Sequence, residues 1–406
     1  MTDSQHPSTI KTLVLAHRYP HRASYFDDWA DAFAAAPFFA TSFLNVLDLS
    51  PKQLDRALGE HDVAVLLHSC TGDTTDYLEK LAPAFGARSR GRLVAFVGNE
   101  FNSPYAQMRR KIAVLRACNP DIVATQLLRE AGVYLYGDIC TNVVSIPHAL
   151  NPKAFRPGPS HEARATDIGV RSYRYSPLLG DTKRNDILDY FRIHGPERGL
   201  TVDVDTVARL GRQEWAAFLA GARGTISSEA GSWYLDRDDA LVMRIHEAIK
   251  QERSGLVINP GEGVRRLVRR LPVPIKAALG KVLRHGPIKF AGFEDEGLGF
   301  DDLYERFFKT APRCPAYSKA LSSRHFDAIG TKTCQILVAG RYNDLLTPSE
   351  HYIAVDADLA NAEDAISRFK DAGERARITA AAYEHTMAAH TYQHRMRALH
   401  DAVHTL

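Results

Sequence analysis

The chain has 406 residues, 45% of them hydrophobic and 24% charged, with a formal net charge of +3. That length exceeds one ordinary core and predicts two domains, and no apolar run reaches the roughly 20 residues needed to span a bilayer. The opening MTDSQHPSTIK lacks the apolar stretch of an export signal, and five scattered cysteines without a C-x-x-C pair suggest neither a zinc knuckle nor a disulfide framework, so a reducing cytoplasm is expected.

In chain order, TLVLA (12–16) reads as a strand and SYFDDWADAFAAA (24–36) as a helix. VAVLLH (63–68) and RLVAFVG (92–98) are buried strands, AQMRRKIAVLRAC (106–118) is a helix, and DIVAT (121–125) and NVVSIP (142–147) complete the series. Continuous apolar strands alternating with helices predict a parallel sheet covered on both faces. The Pro-rich stretch 147–167 reads as a linker. The alternation then restarts: strand DIGVRSY (167–173), helix 183–195, strand LTVDVD (200–205), helix 213–222, strand GTIS (224–227). The tail from Asn361 is helical.

The predicted fold class is α/β, with two Rossmann-like domains facing a cleft and a C-terminal helical tail. The boundaries are 1–146 for the first domain, 147–166 for the linker, 167–385 for the second domain and 386–406 for a helix returning to the first. Residues 263–290 hold eight Lys or Arg and no acid, so the basicity is one local patch and argues against a general nucleic-acid binder. Two readings of that segment stay open: a solvated surface insertion, or a basic amphipathic stretch docking on anionic lipid.

Several chemistries lose their signatures. There is no G-x-G-x-x-G after the first strand, no P-loop, no H-E-x-x-H and no G-x-S-x-G. No dense Asp/Glu/His cluster suggests a catalytic metal, so no bound metal is expected. What draws attention is HFDAIGTKTCQILVAG, 325–340. Gly330, Thr331, Lys332 and Thr333 read as a turn followed by a helix start, whose free N–H groups, aided by a lysine and two hydroxyls, would suit a diphosphate. The plain alternative is a capped helix with Lys332 in solvent.

This stretch resembles the donor-site helix of GT-B glycosyltransferases, in particular the retaining group with an E-x7-E motif. Here the motif reads Asp327-x7-Gln335, with Gln335 five residues before Gly340. SIPHALNPKAFRPGP is similar to the interdomain linker of those enzymes. GTKTCQILVAGRYNDLLTPSEHYIAVDADLANAEDAI and HTYQHRMRALHDAV are similar to the CgeB-like and the capsule or O-antigen glycosyltransferases.

The resemblance implies that Gln335 holds the ribose diol while Asp327 faces the donor sugar, and that Arg171, at the end of the second domain's first strand, holds the diphosphate together with Lys183 or Arg184. After another strand end, Ser228, Glu229, Gly231 and Ser232 read as a small polar loop around the nucleotide or sugar, with a helix N-terminal acid as the alternative for Glu229. Asp327, Arg171 and Glu229 form the candidate catalytic set. His17, His68, Asn99 and Glu100 follow first-domain strands, where acceptor contacts would stand. The activity implied is metal-independent transfer of a sugar from a nucleoside diphosphate to a surface glycan or lipid-linked acceptor, in the cytoplasm or on the inner membrane face. No cofactor is called for beyond the nucleotide-sugar co-substrate. The alternatives are a sugar-nucleotide epimerase or hydrolase of the same fold, and a non-catalytic nucleotide-sugar or glycan binder.

Overall fold

The computed structural model describes residues 9–17, 24–252 and 299–406. The basic segment 263–290 lies outside the described residues.

The first domain is one six-stranded parallel sheet. Its strands are β1 (Ile10–Ala16), β2 (Phe39–Asn45), β3 (Val63–Leu66), β4 (Arg92–Phe96), β5 (Ile122–Thr125) and β6 (Val143–Ser145), in the order β2-β1-β3-β4-β5-β6. The inner strands are apolar on both sides because helices cover both faces. On one face, α2 (Pro51–Glu60), α3 (Asp76–Gly86), α4 (Met108–Cys118) and α5 (Arg129–Tyr136) bury Leu54, Leu81, Phe85, Leu115 and Leu135. On the other face, α1 (Ser24–Ala35) brings Trp29 and Phe33 onto Val14, Val65 and Phe96. The edge strand β2 had no counterpart in the sequence reading; its FATSFLN pattern is only half buried, so its apolar signal is diluted.

The second domain is a five-stranded parallel sheet. It comprises β7 (Thr166–Arg171), β8 (Val202–Asp205), β9 (Ala222–Ser227), β12 (Cys334–Val338) and β13 (Ile353–Val355), in the order β13-β12-β9-β7-β8. Helices α6 (Lys183–His194) and α7 (Arg212–Gly221) connect the first three strands. An excursion between β9 and β12 contains a short antiparallel pair, β10 (Ala230–Gly231) with β11 (Lys319–Ala320), and the helices α8 (Ala240–Glu252) and α9 (Phe300–Leu303). Its Leu235 and Ala320 are buried in the first domain's core, while Tyr234, Val242, Ile245, Leu303 and Phe308 pack around Leu178 of the second. The excursion therefore touches both domains.

Helix α10 (Ser323–Gly330) enters β12, and α11 (Ala362–Lys370), α12 (Ala372–Ala389) and α13 (Tyr392–His404) complete the chain. The last of these crosses back: Tyr392, Met396, Leu399 and Val403 are buried against Trp29, Phe33 and Val14. Where the chain recrosses it pairs with the linker, the Leu150 amide donating to the His390 carbonyl at 2.9 Å and the Tyr392 amide to the Leu150 carbonyl at 3.0 Å. No described helix is long and apolar enough to cross a membrane.

The stretch 325–340 corrects the sequence reading. Cys334–Val338 is not a helix but the strand β12, buried throughout and flanked by β9 and β13. CQILV, apolar but for Gln335, is too short for a buried helix and of ordinary length for a strand. The helix lies earlier, over Ser323–Gly330, so Asp327 and Gln335 sit on different elements.

Candidate functional site

Ligands of open parallel sheets sit at the carboxyl ends of the strands. In the second domain those ends are Arg171–Tyr173, Ser227–Glu229 and Gly340–Asn343, and the first turn of α10 stands among them. Ser322 caps α10 in a reciprocal arrangement: its amide donates to His325 Nδ1 at 3.0 Å. That geometry needs a neutral ring, and burial, with Arg184 next, pushes the His325 pKa down to about 3.

Two guanidinium groups converge here. Arg324, in the first turn of α10, donates Nη1 to the Arg171 carbonyl at 3.2 Å. Arg184, in the first turn of α6, donates Nη2 to the Ser228 carbonyl at 2.8 Å and lies 4.1 Å over the Tyr175 ring. Burial, then the charge of Arg184, lowers the Arg324 pKa to about 10. Among the described residues neither pairs with a carboxylate. Arg184 is buried and Arg324 half-buried, and two like charges drawn this far from water without a paired carboxylate are costly. A bound anion would relieve that cost, and the N-terminus of α10 adds free N–H groups and a favourable dipole.

Arg171, expected at the diphosphate, points elsewhere. Its guanidinium grips both carboxylate oxygens of Asp203 on β8, at 2.8 and 2.7 Å, and stacks 4.1 Å over Phe218. The adjacent strand supplies its partner, so the cation is already neutralised. Lys183 pairs with Asp186 at 3.3 Å.

Glu229 ties two strand ends together. One oxygen accepts from the Tyr342 amide at 2.7 Å and the other from the Tyr317 hydroxyl. Burial raises its pKa. A side chain on Gly340 would run into this carboxylate, which explains the glycine. Below it, Lys319 forms a buried ion pair with Asp181. Ser228 Oγ donates to the Glu229 carbonyl at 3.2 Å and Ser232 Oγ to the Leu179 carbonyl at 2.7 Å, so both serines brace the loop.

The anion cradle expected at Gly330–Thr333 is overturned by polarity. These residues follow the C-terminus of α10 and precede β12, which places them at the amino end of the sheet, away from the cleft. A helix C-terminus presents carbonyls and repels anions. Arg164 already serves this turn, donating to the Thr331 carbonyl at 2.9 Å and to Thr333 Oγ1 at 3.2 Å. Thr333 Oγ1 in turn donates to the Leu219 carbonyl at 2.7 Å. Gly330 is pressed against Leu150 and Phe155, where a side chain would collide. Lys332 has φ 53° and its ammonium lies 5.0 Å over Tyr383. Gln335 is buried in mid-strand, and its Nε2 has no hydrogen-bond partner.

Asp327 is buried one turn beyond Arg324 and accepts from Trp215 Nε1 at 2.9 Å. Burial, then the nearby Asp28, pushes its carboxyl well above the usual range. Asp28 belongs to α1 of the first domain, is itself raised to about 6 by burial, and accepts from Asn151 at 2.7 Å and Arg212 at 3.0 Å. Asp327 thus faces a closed polar junction between the domains.

Across the cleft, Glu100 is not presented to a ligand. Its carboxylate accepts from Thr125 Oγ1 at 2.7 Å, the Gln126 amide at 2.8 Å and Tyr136 Oη at 3.0 Å. Three internal donors at a buried group make it a loop anchor. Asn99, at φ 51°, donates to Asp73 at 3.0 Å. The buried Lys111 Nζ fastens the same loop through the Gly98 and Asn99 carbonyls, at 2.9 and 2.6 Å, and burial lowers its pKa to about 8. His68 is buried and stacks on His148 at 5.3 Å. The His17 amide binds Ser69 Oγ at 2.9 Å, which fixes the end of β1. Asn343 bridges the two domains through the Gln126 carbonyl at 2.8 Å.

Of the donor-side residues read from sequence, Arg184, Ser228 and Glu229 come together at the strand ends. The sequence reading missed Arg324, Tyr317 and the Lys319–Asp181 pair. SSRHFD, two serines before a helical run, was the available signal for where α10 starts.

Residues 306–401 match the family model described as glycosyl transferase-like. A comparison with curated sequences gives no match. Among solved structures, the chain resembles HepE of Anabaena in complex with UDP-glucose, with 12% identity over 98% of this chain and 100% of that one and a TM-score of 0.51. The same protein with UDP and glucose gives 10% identity over the same shares and a TM-score of 0.50. The chain has the GT-B fold, two facing parallel α/β domains, and its last quarter matches the glycosyl transferase-like pattern.

Proposed function

We propose that the chain transfers a sugar from a nucleoside diphosphate sugar to a surface glycan or related acceptor, in the cytoplasm and without a metal ion. One observation carries the reading. Arg184 and Arg324 converge at the start of α10, at the carboxyl ends of β7 and β9, and neither has a carboxylate partner among the described residues. Breaking a sugar–phosphate bond leaves negative charge on the diphosphate. Fixed guanidinium groups and helix N–H donors stabilise that charge as it develops, in the role a metal plays elsewhere. The donor then belongs to the second domain and the acceptor approaches from the ends of β1, β3 and β4. The glycosyl transferase-like pattern over 306–401 supports the reaction class, and the UDP-sugar held by the structurally similar HepE supports the donor class.

The test is turnover of a panel of UDP-, GDP- and dTDP-sugars in the presence of a chelator, with and without glycan acceptors. Acceptor-dependent release of nucleoside diphosphate is expected. Release at the same rate without any acceptor would make the chain a hydrolase, and no turnover with any donor would leave a binding protein.

A further inference from the structure

Among the described residues, two of the few large apolar side chains left open to solvent follow the ends of neighbouring strands. Tyr173 is 41% exposed and Val207 62% exposed. Strands β7 and β8 pair Arg171 with Asp205, so each of these residues lies two positions beyond the last paired rung, at the carboxyl edge of the sheet. The turn that carries Val207 is fixed: Asp205 Oδ1 accepts from the Val207 amide at 2.7 Å and the Ala208 amide at 3.0 Å. Arg209 then folds back. Its Nε donates to the Tyr173 hydroxyl and its guanidinium covers the Tyr173 ring at 4.2 Å. Arg209 has no carboxylate partner among the described residues. Its charge also reaches Arg324, so this group continues the cationic cluster outward.

An apolar residue and a ring capped by an unpaired cation, held on fixed backbone, have no evident work in the fold. Flat π-systems stack on such surfaces without needing a particular hydrogen-bond pattern. We propose that Tyr173, Arg209 and Val207 form the platform on which the nucleobase of the donor stacks. The proposal rests on the donor reading above and extends it from the diphosphate to the base. The guanidinium fork also offers donors to the ring carbonyls of a base, as uracil and guanine have.

Calorimetric titration with UDP, GDP and inorganic pyrophosphate on the parent, Tyr173→Ala and Tyr173→Phe separates the two readings. The parent is expected to bind UDP or GDP at least about tenfold more tightly than pyrophosphate, in line with the worth of stacking one base. Tyr173→Ala should lose about that tenfold for the nucleotide and nothing for pyrophosphate, and Tyr173→Phe should keep most of it. Unaltered melting temperatures certify the fold. Nucleotide binding in Tyr173→Ala equal to the parent's overturns the platform. So does a parent that binds pyrophosphate as tightly as UDP and GDP, a result that leaves the diphosphate reading standing. A parent that binds none of the three sinks the donor reading and this inference with it.

Discussion

Gln335 shows how a residue that looks functional in sequence can be a structural liability. Its spacing from Asp327 suggests a ligand contact, yet it is buried in β12 with an unpartnered Nε2. A buried donor without an acceptor costs about 1–3 kcal/mol. Gln335→Met, similar in volume, is therefore expected to raise unfolding stability by about 1 kcal/mol in denaturant titration, and a drop of that size would mean the amide has a role. Arg324 is the converse. An arginine in a first helical turn ordinarily reads as solvated, and only the strand ends at Ser228 and Arg171, distant in sequence, reveal that it is half-buried among polar groups. His148 links sequence to pH. Its Nδ1 accepts from Trp29 Nε1 at 3.2 Å, and burial drives its pKa down to about 3. Between pH 6.5 and that value the unfolded chain binds a proton that the folded ring refuses, so this group makes stability fall as pH falls. From pH 6.5 to 4 the loss approaches about 3 kcal/mol. Asp28, raised to about 6, works in the opposite sense below that pH. Comparison with His148→Asn, which keeps an acceptor but does not titrate, cancels the Asp28 contribution. The variant should show the flatter stability profile, and equal slopes would contradict the assignment.

At the scale of elements, strands were legible where both faces are buried. VAVL and RLVAF need no alternation because helices cover both sides. The edge strand β2 was not legible, since half of its side chains meet water. β12 is hard to read because Gln335 interrupts its apolar residues and its spacing from Asp327 imitates a ligand motif. The capping of α4 could not be read at all. Its first two amides, of Met108 and Arg109, donate to the two carboxylate oxygens of Asp239 at 3.0 and 2.9 Å. Asn102 adds a bond to the same carboxylate at 2.8 Å. The cap arrives from the excursion after β9, some 130 residues on, so no local pattern announces it. Asp239→Ala should remove about 1–2 kcal/mol from this contact. Hydrogen exchange at Met108 and Arg109 is expected to accelerate about tenfold or more, and unchanged protection would mean that the cap is dispensable.

For the whole molecule, the two-domain plan follows from alternation and length, but the way the domains are held together does not. Besides the Asn343–Gln126 and Arg212–Asp28 contacts, larger connections join them: the linker paired with the recrossing segment at Leu150, helix α13 on the first domain, and the excursion that buries Leu235 in the first domain's core. These leave the carboxyl ends of both sheets facing one cleft, with the paired guanidinium groups on the second domain's side. The central claim is that the diphosphate of a sugar nucleotide binds at Arg184 and Arg324 and not at the Gly330–Thr333 turn. Titration of a nucleoside diphosphate into the parent, Arg324→Gln and Lys332→Ala tests it directly. The account expects Arg324→Gln to lose about 1.5–3 kcal/mol, the worth of a hydrogen bond to a charged group, and Lys332→Ala to bind like the parent. Full affinity in Arg324→Gln, or its loss in Lys332→Ala, would contradict the account.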